Sequence, residues 1–536
     1  MKRHVRIFAV MLIVALLLTG CGTGGWMDEL YSMLQLGLMT SFDEMEYVRP
    51  DVDEFRTQLE GCMEEVQTQK NADKLMDSVY VMYELYYDFC TNYYLADIHY
   101  CQDMTDIYWS EEYSYCMENS SEVSAGMDQL LYALADCELR EELESDDFFG
   151  EGFFDFYDGD SLWDDNFTEL MNREAALLDE YYELNALAVD VEYYSEAFFS
   201  GYGRKMEEVF VDLIEVRQEI AEYAGYESYP EFAYDFYFYR DYTPKQAVSY
   251  LEEIRRELVP LYEKLDSSAW DAAYVECSEE ETFAYVKELA EAVGGTAKYA
   301  FRLLDGAGLY DISYGENKYS ASYEVFLFSY YTPYIFICPS MGGRDKLTFA
   351  HEFGHFCSDY AAGGSVAGVD VAEIFSQGLE YLSLCYCADT EALTELKMAD
   401  SLSVFVEQSA YAAFEHAVYA LEGEELTVEN VRGLYQDICD GFGFGAFGRD
   451  SRDYVLIPHF YISPLYVISY VVSNDAAMQI YRLEQTEAGA GLALWEDNLA
   501  TEEMFFLAFL EKAGLESPFT DGRAAGIREM FAEILE

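Results

Sequence analysis

The tightest constraint on how this chain can fold lies in five residues, His351-Glu352-Phe353-Gly354-His355. They match the pattern H-E-x-x-H, whose chemistry requires a helix. Residues four apart share a helical face, so His351 and His355 can each aim a ring nitrogen at one metal ion. Glu352 then falls beside that ion, where it can take a proton from a water whose pKa the metal lowers. The chemistry implied is zinc-assisted hydrolysis. Coincidence on an ordinary amphipathic helix is a poor alternative in a chain of 536 residues with only six histidines.

Catalytic zinc takes three protein ligands and keeps one position open, so a third ligand must be found. The metzincin arrangement is excluded, because Ser358 stands where that pattern needs glycine and Ala361 where it needs histidine. The His351 helix is expected to end near Gly363-Gly364, and a second helix to begin near Asp370 and carry Glu373 and Glu380. These two glutamates share a face, and the pattern leaves both open as the third ligand. Asp370-x-x-Glu373 also reads as a capping box, which would tie Glu373 to the helix end instead.

The rest of the chain reads as mainly α. From Trp26 to about Lys205 apolar and aromatic residues recur at three- and four-residue spacing, as in Leu30, Met33, Leu34 and Leu38. The tyrosines here, Tyr86, Tyr87, Tyr93 and Tyr94 among them, fit helix packing. His99 and His416 lack ligand partners nearby and read as structural. Glu141 to Phe167 mixes acids, glycines and aromatics without a helical period and is expected to be a surface loop, with acids misplaced for an EF-hand. Pro244 should open a helix running to Leu265, and another should cover Glu279 to Val293 before Gly294-Gly295. Tyr323–Phe328 and Tyr334–Cys338 are rich in β-formers and predict a small ribbon beside the helix of His351. Its edge could pair with an extended peptide, or it could be a core hairpin. The expected organisation is an N-terminal helical lobe over 21–205 and a catalytic region over 206–536.

Residues 1–20 read as an export signal: Lys2, Arg3 and Arg6 precede an apolar run from Ile7 to Leu18 that is short for a membrane span. The run ends Leu18-Thr19-Gly20-Cys21, similar to a bacterial lipoprotein signal in which Cys21 becomes the acylated first residue. The enzyme would then sit outside the cell, anchored to the membrane by its lipid. A net charge of −72 excludes nucleic acid as a partner. The eleven further cysteines contain no C-x-x-C pair and leave buried thiols and disulfides both open.

The run Thr348 to His355, followed by Val371-Ala372-Glu373-Ile374-Phe375-Ser376-Gln377, resembles the oligoendopeptidase F and thimet oligopeptidase family. Ile457-Pro458-His459-Phe460-Tyr461 with Leu465 to Tyr470 looks like that family's His/Tyr segment. Met45 to Asp51, Tyr242-Thr243-Pro244, Leu258 to Tyr262 and Lys512 to Pro518 fit its bacterial branch. The resemblance implies a two-lobed helical peptidase with a deep substrate channel that admits short peptides and excludes folded proteins. It also implies one zinc ion held by His351, His355 and Glu373, with Glu352 as the base. His459 and Tyr466 or Tyr470 would then stabilise the oxyanion, and Glu380 would orient a zinc-bound histidine. The sequence departs from the pattern in an interval from His351 to Glu373 that is shorter than in thimet-type members and in an extra residue after His459, around Ser463-Pro464. The reading is a zinc endopeptidase acting on short unfolded peptides. Its rivals are a lipid-anchored peptide-binding protein without catalysis and a zinc aminopeptidase.

Overall fold

The computed structural model describes residues 39–535 except 147, 158–161, 163, 189–190, 192–194, 365–366, 389 and 445–449. The leader, Cys21 and the Leu30 to Leu38 periodicity lie outside the described residues. The fold is mainly helical with one small sheet, as expected. It divides into two compact units, each assembled from separated stretches of sequence.

The first unit draws on Met1–Gly159, Glu276–Ser365 and Tyr386–Ala388. Its helices Val52–Thr68, Ala72–Gln102 and Ile107–Ala135 start on Asp51, Asn71 and Asp106, whose side chains accept first-turn backbone N–H groups that would otherwise lack partners. They share a core that includes Phe55, Val79, Met82, Leu130 and Leu134. Part of the expected surface loop joins this core: Leu143, Phe149 and Phe154 are buried in it, and Phe153–Tyr157 is a short 3-10 helix. The loop reading fails there because each buried aromatic ring contributes about 1.5–3 kcal/mol, more than the surrounding acids can offset by keeping the segment in water. His99 stacks on Trp109 with ring centroids 4.2 Å apart, as a packing histidine should.

The same unit holds the sheet, with strands β1 (Tyr310–Asp311), β2 (Tyr323–Leu327) and β3 (Thr332–Phe336) in the order β1-β3-β2. β2 and β3 form the expected antiparallel ribbon, with Tyr323 opposite Phe336 and Leu327 opposite Thr332. β1 adds in parallel to β3, and a strand of two residues is too short to leave a period in the sequence. Pro333 is tolerated in the central strand because β1 pairs only with Ile335 and Phe336, beyond it. The helix Glu279–Val293 has the expected span, starts on a Ser278/Glu281 capping box, and is followed at once by another, Gly295–Ala307.

The second unit draws on Asp160–Val275, Val366–Cys385 and Asp389–Glu536. Its helix Pro244–Tyr262 opens on Thr243 with a capping box to Gln246 and proline in the first turn. The side chain of Arg217, 1% exposed, binds Glu174 and Tyr419 and donates to the carbonyls of Phe460 and Tyr461. That fixes the backbone just after His459. His416 is buried between the Tyr234 hydroxyl and the Ala412 carbonyl, so it is structural. Cys62, Cys101, Cys116, Cys277 and Cys387 are buried and unbridged. Among the described residues, no helix is long and apolar enough to cross a membrane.

Candidate metal centre

The helix Asp345–Ala362, called here the His helix, begins where Asp345 accepts from the Ser340 backbone N–H at 2.9 Å and the Ser340 hydroxyl at 2.6 Å. A carboxylate in the first turn also suits the positive end of the helix dipole. Leu347, Phe349, Ala350, Phe353 and Phe356 are buried and fix its rotation. Gly363 ends it in the left-handed region at φ 76°, with its N–H on the Asp359 carbonyl. His351 and His355 emerge on one face with ring centroids 5.1 Å apart, both half-buried, and Glu352 is 7% exposed.

The second helix, Val369–Tyr386, is called here the Glu helix. Gly368 precedes it, and a Cβ there would lie 2.2 Å from the Met504 carbonyl oxygen, so only glycine fits. Asp370 does not cap Glu373. Its buried carboxylate accepts from Arg240, from Tyr242 and from the Ser469 hydroxyl. The Glu373 side chain is thereby left for other partners: it accepts from the Ser376 hydroxyl at 2.9 Å on one oxygen and from the Tyr466 hydroxyl at 3.1 Å on the other. Each oxygen can accept more than one bond, so ligating capacity remains.

Ligand atoms of His351, His355 and Glu373 all lie within 4.8 Å of one another, and among the described residues this is the one group of three or more that could hold a metal ion. Two imidazoles and a carboxylate are a donor set that suits zinc with an open position.

His459 opens the short helix His459–Ile462, and its ring lies 5.7 Å from that of Tyr466 and 6.0 Å from that of Tyr470. Burial lowers the His459 pKa, partly opposed by the charge of Glu373, so the ring is neutral at pH 7 and offers one N–H. Burial, reinforced by Glu373, pushes the Tyr466 hydroxyl well up and keeps its proton. The Tyr470 carbonyl accepts from Gln377, and Glu380 pairs with Lys397 at 2.8 Å. The predicted metal-ligating and catalytic residues and Glu380 therefore lie in the two helices and the His459–Tyr470 segment, and Cys21 lies outside the described residues.

Sequence reasoning missed the acid pair in the first unit. Burial holds the carboxyl of Glu324, on β2, well above the carboxylate range, with Asp359 and Glu352 adding like charge, and burial raises Asp359 too. It also missed Arg240, whose signal was available as a lone arginine in the aromatic run Phe238-Tyr239-Arg240-Asp241-Tyr242.

Residues 42–159 match the family model described as the peptidase M3 N-terminal domain. That segment is similar to the N-terminal domain of M3 peptidases. Solved structures agree over most of the chain. PZ peptidase A with inhibitor 2 is 19% identical with a TM-score of 0.79, covering 92% of this chain and 99% of that one. A putative oligoendopeptidase F is 20% identical with a TM-score of 0.78, covering 92% and 98%. One from Bacillus anthracis str. Ames is 19% identical with a TM-score of 0.75 over the same shares. The chain thus has the helical fold of these oligoendopeptidase F and PZ peptidase structures, and the resemblance to oligoendopeptidase F holds. Comparison with curated protein sequences gives no match.

Proposed function

We propose that this protein is a zinc-dependent endopeptidase that hydrolyses short unfolded peptides outside the cell, tethered by a lipid on Cys21. The observation that carries the reading is the convergence of His351, His355 and Glu373 with Glu352 next to the first histidine on the His helix. The M3 fold supports it. His351, His355 and Glu373 would hold zinc, which supplies Lewis acidity toward water and a peptide carbonyl.

The chain's own residues supply the rest. Glu352 takes the proton of the attacking water and returns it to the departing amine. The neutral His459 ring and a tyrosine hydroxyl would donate to the oxyanion: either Tyr466, by turning its one proton from Glu373 to the oxyanion when substrate binds, or Tyr470, packed against it at 5.3 Å between centroids. Glu380, paired with Lys397 at 2.8 Å, would orient a zinc-bound histidine.

Purified protein incubated with an internally quenched peptide should cleave it, and cleavage should stop with a chelator and return with zinc. Turnover that survives both a chelator and Glu352→Gln would overturn the zinc mechanism, and bound zinc without turnover would favour a peptide-binding role. Mass spectrometry of the products decides between internal cleavage and stepwise loss from the amino end.

A further inference from the structure

Leu465, immediately before Tyr466, sits in the left-handed region at φ 67°, which a branched side chain rarely adopts, and its side chain is fully buried. Such a conformation persists only where the surroundings hold it. Here both of its backbone polar groups are taken by buried polar side chains. The Leu465 N–H donates to Glu415 Oε1 at 2.6 Å, and the Leu465 carbonyl accepts from Arg240 Nη1 at 2.9 Å.

Arg240 reaches further. Its Nε donates to Asp370 Oδ2 at 3.1 Å and its Nη2 to the Ser469 hydroxyl at 3.0 Å, while its guanidinium lies against the rings of Phe238 and Tyr234. One planar fork therefore joins the first turn of the Glu helix, three residues before Glu373, to residues on either side of Tyr466. A lysine has no such fork. Glu415 is 1% exposed, and its second oxygen has no hydrogen-bond partner, so the Leu465 N–H is the contact that accounts for its placement.

We propose that Arg240 and Glu415 are positioning residues: they hold Leu465 left-handed and so aim the Tyr466 hydroxyl at Glu373. The catalytic consequence rests on the zinc peptidase reading; the conformational one does not. A bond rotated at residue 465 redirects the Tyr466 side chain, and misplacement of a reacting group by about 1 Å can cost about 100-fold in rate.

The test compares Glu415→Leu, which removes the acceptor, with Glu415→Gln, which keeps one. Glu415→Gln should retain kcat within about twofold, whereas Glu415→Leu should lose about 10- to 100-fold in kcat with KM little changed. A purely structural role would lower thermal stability and leave kcat per folded molecule alone. Because the clamp acts through Tyr466, adding Glu415→Leu to Tyr466→Phe should cost nothing more; losses that multiply would overturn the proposal. Should Glu415→Leu fail to fold, Arg240→Lys takes its place, with the same expected loss and the same absence of a further loss on Tyr466→Phe. A crystal structure of the variant is the readout independent of turnover. Leu465 leaving the left-handed region and the Tyr466–Glu373 bond breaking support the clamp even if the wild-type protein with zinc cleaves nothing, and an unchanged φ and bond reject it even if the wild type is active.

Discussion

The spacing of His351 and His355 comes from one stretch of chain, whereas the setting of Glu373 and Tyr466 comes from several. The four-residue repeat of the His helix, the Asp345 contacts at its start and Gly363 at its end lie within residues 340–364, while its buried face packs Phe349 on Phe283 and Phe353 on Phe301. Around Glu373 and Tyr466, the fixed contacts come from Arg240, Asp370, Glu415 and Ser469, up to 229 residues apart. A local arrangement can lose a functional side chain and keep its shape. A distributed one couples shape to function, so the two regions should respond differently to substitution.

Glu352→Gln should separate activity from stability most sharply. On the proposed mechanism the loss of its carboxylate should cost about 100- to 10,000-fold in kcat/KM, while zinc content and thermal midpoint stay near the wild type. Retained turnover would show that another group takes the proton. Asp370→Ala addresses the other region. It leaves the fully buried Arg240 guanidinium without its partner and should cost about 3–5 kcal/mol in urea unfolding, with activity falling alongside. If Asp370→Ala left stability intact and removed only activity, the contrast between the regions would collapse. Ser376→Ala removes a donor to Glu373 and, on the proposed ligand set, should weaken zinc binding about tenfold in chelator competition, since outer partners of metal ligands have effects of that order.

The same contrast explains what the sequence could and could not reveal. His351, Glu352 and His355 were legible because their relation is a fixed spacing, and Gly363 and Asp370 marked helix limits that the structure keeps within a residue or so. Glu373 stood out only with the family resemblance in hand, because spacing treated it and Glu380 alike. The hairpin of β2 and β3 was legible from its β-branched and aromatic residues, but β1 was not, since a pairing over two residues leaves no repeat. Arg240 and Glu415 were invisible as partners because nothing in a chain announces that residue 415 will meet residue 465. The stretch from Glu141 misled for a related reason: its acids signalled exposure, while Phe149 and Phe154 decided the fold by burial.

Glu415 carries a pH signature of the distributed region. Burial pushes its carboxyl up to about 8, with the charges of Arg240 and Arg217 and the Leu465 N–H only partly opposing. Unfolded, the group titrates near about 4.3. Between those values the native state holds a proton that the unfolded chain has released, so its contribution to stability is full below about pH 4.3 and fades as pH rises to about 8, by at most about 1.4 kcal/mol per pH unit. His416, lowered to about 4 by burial, acts with the opposite sign and only below about pH 6.5. The window from pH 6.5 to 8 therefore isolates Glu415 from its neighbour. Across it the free energy of unfolding should fall as pH rises in the wild type, by less per unit as pH nears 8, and Glu415→Gln should reduce that fall; identical slopes would place the proton elsewhere.

The smallest effect tests the backbone of Leu465 itself. Leu465→Ala and Leu465→Gly both empty the same buried space, so the difference between them reports on conformation. In an ordinary buried position glycine is the less stable of the two, because it loses more freedom on folding. At φ 67° the order reverses, since alanine keeps the Cβ penalty of the left-handed region and glycine escapes it. Glycine should therefore be the more stable variant by about 1 kcal/mol. Alanine proving equal or better would mean that the segment relaxes out of the left-handed region once the leucine is gone, and that Arg240 and Glu415 follow the backbone at residue 465 instead of holding it.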